Sequence, residues 1–150
     1  MRFGQEVQAV PRTADLIERS RPVVDVMVGL IEDPQGRVLI NQRRRGTHRA
    51  GEWEFPGGKR RGGETPFEAL CRELAEELGI DVLEAEPFLQ LSHDYGDRLV
   101  ELDIWRVRRY RGEPRAREGQ PLRWVMPLEL SRVALLPADR PIVDALLRSD

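Results

Sequence analysis

The chain has little cysteine, lysine or net charge, and it has no long apolar run. Its one cysteine, Cys71, has no partner for an internal disulfide, and Leu70 and Leu74 beside it suggest a helix on which it is a small buried hydrophobe. No segment reaches the roughly 18 apolar residues that a membrane span needs, and the start of the chain lacks the apolar core of a secretion signal. A cytoplasmic protein is therefore expected. A formal charge of -2 leaves no broad basic surface for duplex nucleic acid. A negatively charged substrate must then be met locally, by a few arginines, backbone amides or metal ions. There is no internal repeat, low-complexity tract or heptad seam. What is present is a 150-residue chain with 40% hydrophobic and 33% charged residues, the composition and length of one globular domain.

Residues 1–22 mix charge and small apolar groups without periodicity and read as an N-terminal arm; residues 23–150 read as the domain. Residues 23–31 form a β-branched run closed by Glu32-Asp33-Pro34-Gln35-Gly36, and residues 37–43 return as the second strand of a hairpin. A short strand is expected at residues 52–55. Thr65-Pro66-Phe67-Glu68 carries an N-cap, a proline for the first helical position and the glutamate of a capping box, while Gly79 is a natural stop. Phe67, Leu70, Leu74 and Leu78 give that helix one apolar stripe. Strands follow at residues 82–91 and 98–108 around Tyr95-Gly96-Asp97, and again at 122–126, with a short helix at 127–132 and an amphipathic one at 141–148. Mixed elements of this kind imply an α/β or α+β sandwich around one core.

On the other face of the helix stand Glu73, Glu76 and Glu77, at i, i+3 and i+4. Like charges so placed cost about a few tenths of a kcal/mol per pair, and the macrodipole disfavours them at a C-terminal end. Oxygen ligands gathered on a rigid element suit Mg²⁺ or Mn²⁺, with substrate phosphates completing the shell. Three glutamates alone are more often a solvated acidic face. Here they follow Phe55-Pro56-Gly57-Gly58-Lys59 and Gly62-Gly63-Glu64, which read as a glycine-rich strand-to-helix loop where backbone approaches a ligand closely.

These residues resemble the Nudix signature. Gly58, Glu64, Arg72-Glu73-Leu74, Glu76-Glu77 and Gly79-Ile80 fill its nine constrained positions over residues 58–80. The similarity extends toward the MutT-like branch, which removes oxidised nucleotides. Trp53-Glu54-Phe55 leads into the signature, Gly112-Glu113-Pro114 and Arg117-Glu118-Gly119-Gln120 with Trp124 match a later segment, and Leu136-Pro137-Ala138-Asp139 matches a base-binding turn. The resemblance implies a Nudix α/β/α sandwich with a mixed central sheet. It implies metal ligands at Glu73, Glu76, Glu77, Glu118 and the Gly57 carbonyl, for Mg²⁺ or alternatively Mn²⁺. Arg72 and Glu64 are structural by the same comparison, and Lys59 faces either a phosphate or solvent. Glu73, Glu77 and Glu118 all remain candidates for the general base.

For the base the comparison points to Arg43, Phe55, residues 92–95 including Tyr95, and Asp139. The expected reaction converts a nucleoside triphosphate and water into the monophosphate and pyrophosphate, with 8-oxo-dGTP favoured. Asp139 departs from the asparagine of 8-oxoguanine-specific members: a carboxylate only accepts hydrogen bonds unless protonated. That keeps CTP or substituted dCTP and 2-hydroxy-dATP in play, along with other nucleoside diphosphate compounds such as ADP-ribose. A non-catalytic binding module would have lost signature glutamates, and all are present. The expected partner is a small-molecule nucleotide, without duplex nucleic acid or membrane, in a monomer or weak homodimer. Deleting residues 1–20, which supply no matching site residue, is expected to change kcat/KM by less than about tenfold, or 1.4 kcal/mol, in steady-state assays. A larger drop would mean that the arm closes over the site or builds a dimer.

Overall fold

The structure, a computed structural model, describes residues 21–149; residues 1–20, most of the expected arm, lie outside the described residues, as does Asp150. The chain runs β1 (Val23–Ile31), β2 (Val38–Gln42), β3 (Trp53–Glu54), β4 (Gly57–Lys59), α1 (Pro66–Leu78), β5 (Asp81–Asp94), β6 (Leu99–Arg111) and β7 (Leu122–Val125). Short 3₁₀ turns at Pro127–Arg132 and Pro137–Asp139 then lead into α2 (Arg140–Arg148). Each element anticipated from the sequence is present, most with bounds shifted by a few residues.

The strands divide into a four-stranded mixed sheet, β4-β1-β6-β5, and a three-stranded antiparallel sheet, β3-β2-β7. The parallel pair is β1 with β6, in register from Val23 opposite Leu99 to Ile31 opposite Val107. Such a strand has side chains covered on both faces, which is why β1 reads as a continuous apolar run. Met27 and Ile31 point toward α1 and meet Leu70, Leu74 and Leu78. Val28 and Leu30 point the other way, into the cluster that holds Ile142 and Leu146 of α2. The outcome is a helix on each side of the β layer. Among the described residues no helix is long and apolar enough to cross a membrane.

Two readings are corrected. Phe55-Pro56-Gly57-Gly58-Lys59, taken as loop on its glycines, contains strand β4, whose Gly57, Gly58 and Lys59 pair with Val28, Met27 and Val26. Phe67 is not part of the buried stripe: it is 36% exposed and lies against Trp105 at 5.9 Å between ring centroids. The stripe is Ala69, Leu70, Leu74 and Leu78, since a first-turn side chain on the outer flank reaches only the rim.

The helix ends follow their signals. Thr65 Oγ1 accepts from the Glu68 amide at 3.1 Å, and the Glu68 carboxylate accepts from the Thr65 amide at 2.9 Å. Gly79 closes α1 in the left-handed region, at φ 70°. Leu74 is fully buried at the centre of the α1 face, so Leu74→Ala is expected to cost about 2–5 kcal/mol, read from denaturant unfolding. A cost below about 1 kcal/mol would show that this face is not a close-packed core.

Candidate active site

The three helix glutamates have different environments. Glu73 lies flat on Gly58, where an added Cβ would stand 2.1 Å from Glu73 Oε2. Its Oε1 accepts from Arg72 Nη1 at 2.8 Å, and Glu76 Oε1 accepts from the same nitrogen at 3.2 Å. Arg72 also donates to both oxygens of Glu64 and, at 2.9 Å, to the carbonyl of Lys59. A rigid guanidinium fork is suited to several fixed oxygens at once. The ion pair holds the Glu64 carboxyl down to about 2, chiefly through its hydrogen bond to Arg72.

Glu77 has no such partner. Its Oε1 accepts from the Gly57 amide at 3.3 Å. Burial, reinforced by Glu54 and to a lesser degree by Glu73 and Glu118, pushes its carboxyl up to about 8 against the pull of that amide. A carboxyl displaced this far by burial, with neighbouring carboxylates adding to it and no cation beside it, marks a place short of positive charge. Among the described residues no three acidic, histidine or cysteine side chains already converge on one point. The donor set of Glu73, Glu76, Glu77 and Glu118 is nonetheless all oxygen, which fits a hard divalent cation.

Glu118 is delivered by a loop that caps α1. The last turn of the helix has no basic side chain, and its orphan carbonyls are taken by the loop instead. Arg115 N donates to Leu78 O at 2.9 Å, Arg117 N to Glu77 O at 3.2 Å, and Arg117 Nη1 to Ala75 O at 3.3 Å. Gln120, buried, donates from Nε2 to Glu77 O at 3.0 Å and accepts at Oε1 from the Glu118 amide at 3.0 Å. Arg44 Nη1 donates to Glu118 O at 3.2 Å from the opposite side.

A cleft of about 560 Å³ joins these groups to the residues expected around a base. Gly57, Lys59, Glu77 and Glu118 line it, and so do Arg43, Phe55, Tyr95 and Asp139. Glu73 and Glu76 are outside its lining, held by Arg72. Of residues 92–95 only Tyr95 reaches the cleft; Ser92 Oγ donates to Glu101 at 2.7 Å on the adjoining strand. Gly57 passes so close to β1 that an added Cβ would fall 1.9 Å from the Met27 carbonyl oxygen.

Asp139 is 4% exposed, and its Oδ2 accepts from the Phe55 amide at 3.0 Å. Burial pushes its carboxyl up to about 7, opposed by that amide, with Glu54 raising it further and Arg43 lowering it. Arg43 donates from Nε to His48 O at 2.6 Å and from Nη1 to Glu54 at 3.2 Å and 3.4 Å, so its orientation is set before any ligand arrives. The Tyr95 ring meets His93 at 4.4 Å and His48 at 6.0 Å, with the Arg98 guanidinium 4.9 Å above it.

Sequence reasoning missed Glu54, Asn41 and Gln120. Glu54 lines the cleft, and burial raises its pKa despite Arg43 and a hydrogen bond from the Asn41 amide. Asn41, opposite Glu54 in the β2–β3 register, is 5% exposed, and its Oδ1 has no protein partner. The available signal was a polar residue at the inward end of the apolar run Val38-Leu39-Ile40, which a buried strand carries only where it has something to bind.

The family model for the NUDIX domain matches residues 27–145. The chain is 38% identical to the 8-oxo-dGTP diphosphatase of Escherichia coli K12 over 125 residues, 83% of this chain and 97% of that one. It is 36% identical to the CTP pyrophosphohydrolase of the same organism over 125 residues, 83% of this chain and 92% of that one. The solution structure of the E. coli ORF135 protein superposes with a TM-score of 0.77 at 36% identity, covering 86% of this chain and 91% of that one. Nudix hydrolases generally need divalent metal ions, in keeping with the oxygen donors gathered here. Signature residues, sandwich fold and carboxylate-lined cleft agree with these likenesses, and the chain belongs to the NUDIX domain family of hydrolases.

Proposed function

We propose that the protein is a metal-dependent nucleoside triphosphate pyrophosphohydrolase that favours 8-oxo-dGTP, releasing the nucleoside monophosphate and pyrophosphate. The observation that carries this reading is the single cleft in which Glu77 and Glu118 share one lining with Phe55, Tyr95 and Asp139. Acidic groups that call for a cation and aromatic and hydrogen-bonding groups that suit a base thereby serve one ligand. Its volume, about 560 Å³, falls in the range of small-molecule sites. The similarity to an 8-oxo-dGTP diphosphatase supports that substrate. Asp139 and the similarity to a CTP pyrophosphohydrolase support a second reading, in which a base with an exposed amino group is preferred.

Mg²⁺, or Mn²⁺ in its place, would be held by Glu73, Glu76, Glu77, Glu118 and the Gly57 carbonyl; when bound it neutralises the triphosphate and lowers the pKa of water. Glu77 and Glu118, which face the cleft, are the carboxylates nearest to hand for the proton of the attacking water. Glu73, bonded through Oε1 to Arg72 and packed over Gly58, is not in the cleft lining and is therefore not the base favoured here. Lys59 meets the outgoing phosphates. Arg43, braced by Glu54 and the His48 carbonyl, turns its remaining N–H groups to the base, whose ring rests against Phe55 and Tyr95.

A nucleotide panel with Mg²⁺ tests the reaction: pyrophosphate should appear with 8-oxo-dGTP, and Glu77→Gln should abolish turnover while the fold persists by circular dichroism. Release of orthophosphate instead, or wild-type activity in the variant, would overturn the assignment. The base reading is tested by Asp139→Asn, which adds a donor for guanine O6 and removes an acceptor for an amino group. The kcat/KM ratio of 8-oxo-dGTP to substituted dCTP should rise by about five- to a hundredfold. Because wild-type Asp139 keeps its proton to about pH 7, the rise should be larger at about pH 8 than at about pH 6.

The same carboxyl gives a stability signature. Folded Asp139 titrates at about 7 and an unfolded aspartate near 3.8, so its contribution is full below about pH 4 and is lost as pH rises through 7. The Tm advantage of Asp139→Asn over wild type should therefore grow from about pH 5 to about pH 8, by roughly 5 °C. A pH-independent difference would mean that Asp139 is not buried as a neutral acid.

A further inference from the structure

We infer that Gln120 is the positioning residue that fixes the spacing of Glu77 and Glu118, and through it the affinity of the cleft for a divalent cation. The inference rests on the proposed reading of both glutamates as metal ligands. Gln120 is 3% exposed, a burial that a primary amide sustains only when its polar atoms are engaged. Both are: Nε2 donates to the Glu77 carbonyl and Oε1 accepts from the Glu118 amide, each at 3.0 Å. Among the described residues it is the one side chain bonded to the backbone of both glutamates. Arg115 N and Arg117 N also tie the loop to the helix end, but neither bonds the backbone of Glu118, and Arg44 bonds Glu118 without reaching Glu77.

The chemistry selects glutamine. The bridge needs one donor and one acceptor on a single planar group, long enough to span two backbones. An ionised glutamate supplies the acceptor alone, and leucine supplies neither. The two bonded backbones belong to different elements, the rigid end of α1 and a loop, so nothing local to either one sets their separation. Although Gln120 lines the cleft, its carbonyl and one amide proton are spent on the backbone, so it acts through the two carboxylates. Residues that orient metal ligands commonly change metal affinity ten- to a hundredfold when removed.

The test is a titration of the full chain with Mn²⁺, free ion being followed by electron paramagnetic resonance, together with Mg²⁺ dependence of turnover. Wild type, Gln120→Leu, Gln120→Glu and Glu118→Ala are compared. Gln120→Leu is expected to weaken Mn²⁺ binding by about ten- to a hundredfold and to raise the Mg²⁺ needed for half-maximal rate in parallel, with nucleotide KM at saturating Mg²⁺ changed less than about threefold. Gln120→Glu, which keeps the acceptor for the Glu118 amide and the side-chain volume, is expected to fall between Leu and wild type. It carries the test if the leucine variant does not fold. Mn²⁺ affinity within about twofold of wild type in the Gln120 variants, with Glu118→Ala weakened, would overturn the inference and leave the metal reading standing. Unchanged affinity in Glu118→Ala would overturn the reading of Glu118 as a ligand, and the inference with it.

Discussion

Arg72 holds together what electrostatics would otherwise push apart. Glu73, Glu76 and Glu77 share one face of α1, and Glu64 stands at the head of the same helix. A single guanidinium bonds Glu64, Glu73, Glu76 and the Lys59 carbonyl, tying the glycine-rich entry, strand β4 and the helix into one unit. A lysine could offset the charge but could not reach that many fixed oxygens in one plane. Once β4 is tied down, Gly58 lies under Glu73 and Gly57 under Glu77, and the backbone beside the carboxylates is set.

Arg72 leaves Glu77 uncompensated, and the strain of the site concentrates there. Its carboxyl is raised to about 8 by burial and by neighbours of its own sign. On the proposed reading a cation bound there would relieve a field that the protein side chains leave unbalanced, so that metal affinity and apo-state destabilisation would have the same origin. The loop that supplies Glu118 is held by the same helix end, since its amides satisfy the carbonyls of Glu77 and Leu78 and the Arg117 guanidinium that of Ala75. Capping the helix and assembling the site are thus one set of hydrogen bonds.

The hydrogen-bonding groups around the expected base are arranged on a similar economy. Asp139 is fastened to the amide of Phe55, and Arg43 to Glu54, so the groups that would read the base edge and the ring that would lie beneath it are mutually oriented. Glu54 acts on both Asp139 and Glu77, raising the pKa of each. It is the electrical link between the two halves of the cleft.

The helix, its caps and the acidic face were legible because they are written in local chemistry: Thr65 and Glu68 form a capping box, Gly79 a left-handed stop, and i, i+3, i+4 spacing puts glutamates on one face whatever surrounds them. The sandwich was legible from strand and helix patterns mixed along a chain of one domain's length. Strand β4 was not, because a Pro-Gly-Gly segment looks like a turn until β1 offers it partners and no room for a Cβ. Nor were Glu54, Asn41 and Gln120, whose roles come from register and docking across segments distant in the chain. Residue types and spacing determined which chemistry this chain can perform. The tertiary structure decided which carboxylates face the cleft and which are neutralised by Arg72, since that depends on where backbone atoms far apart in sequence are brought within hydrogen-bonding distance.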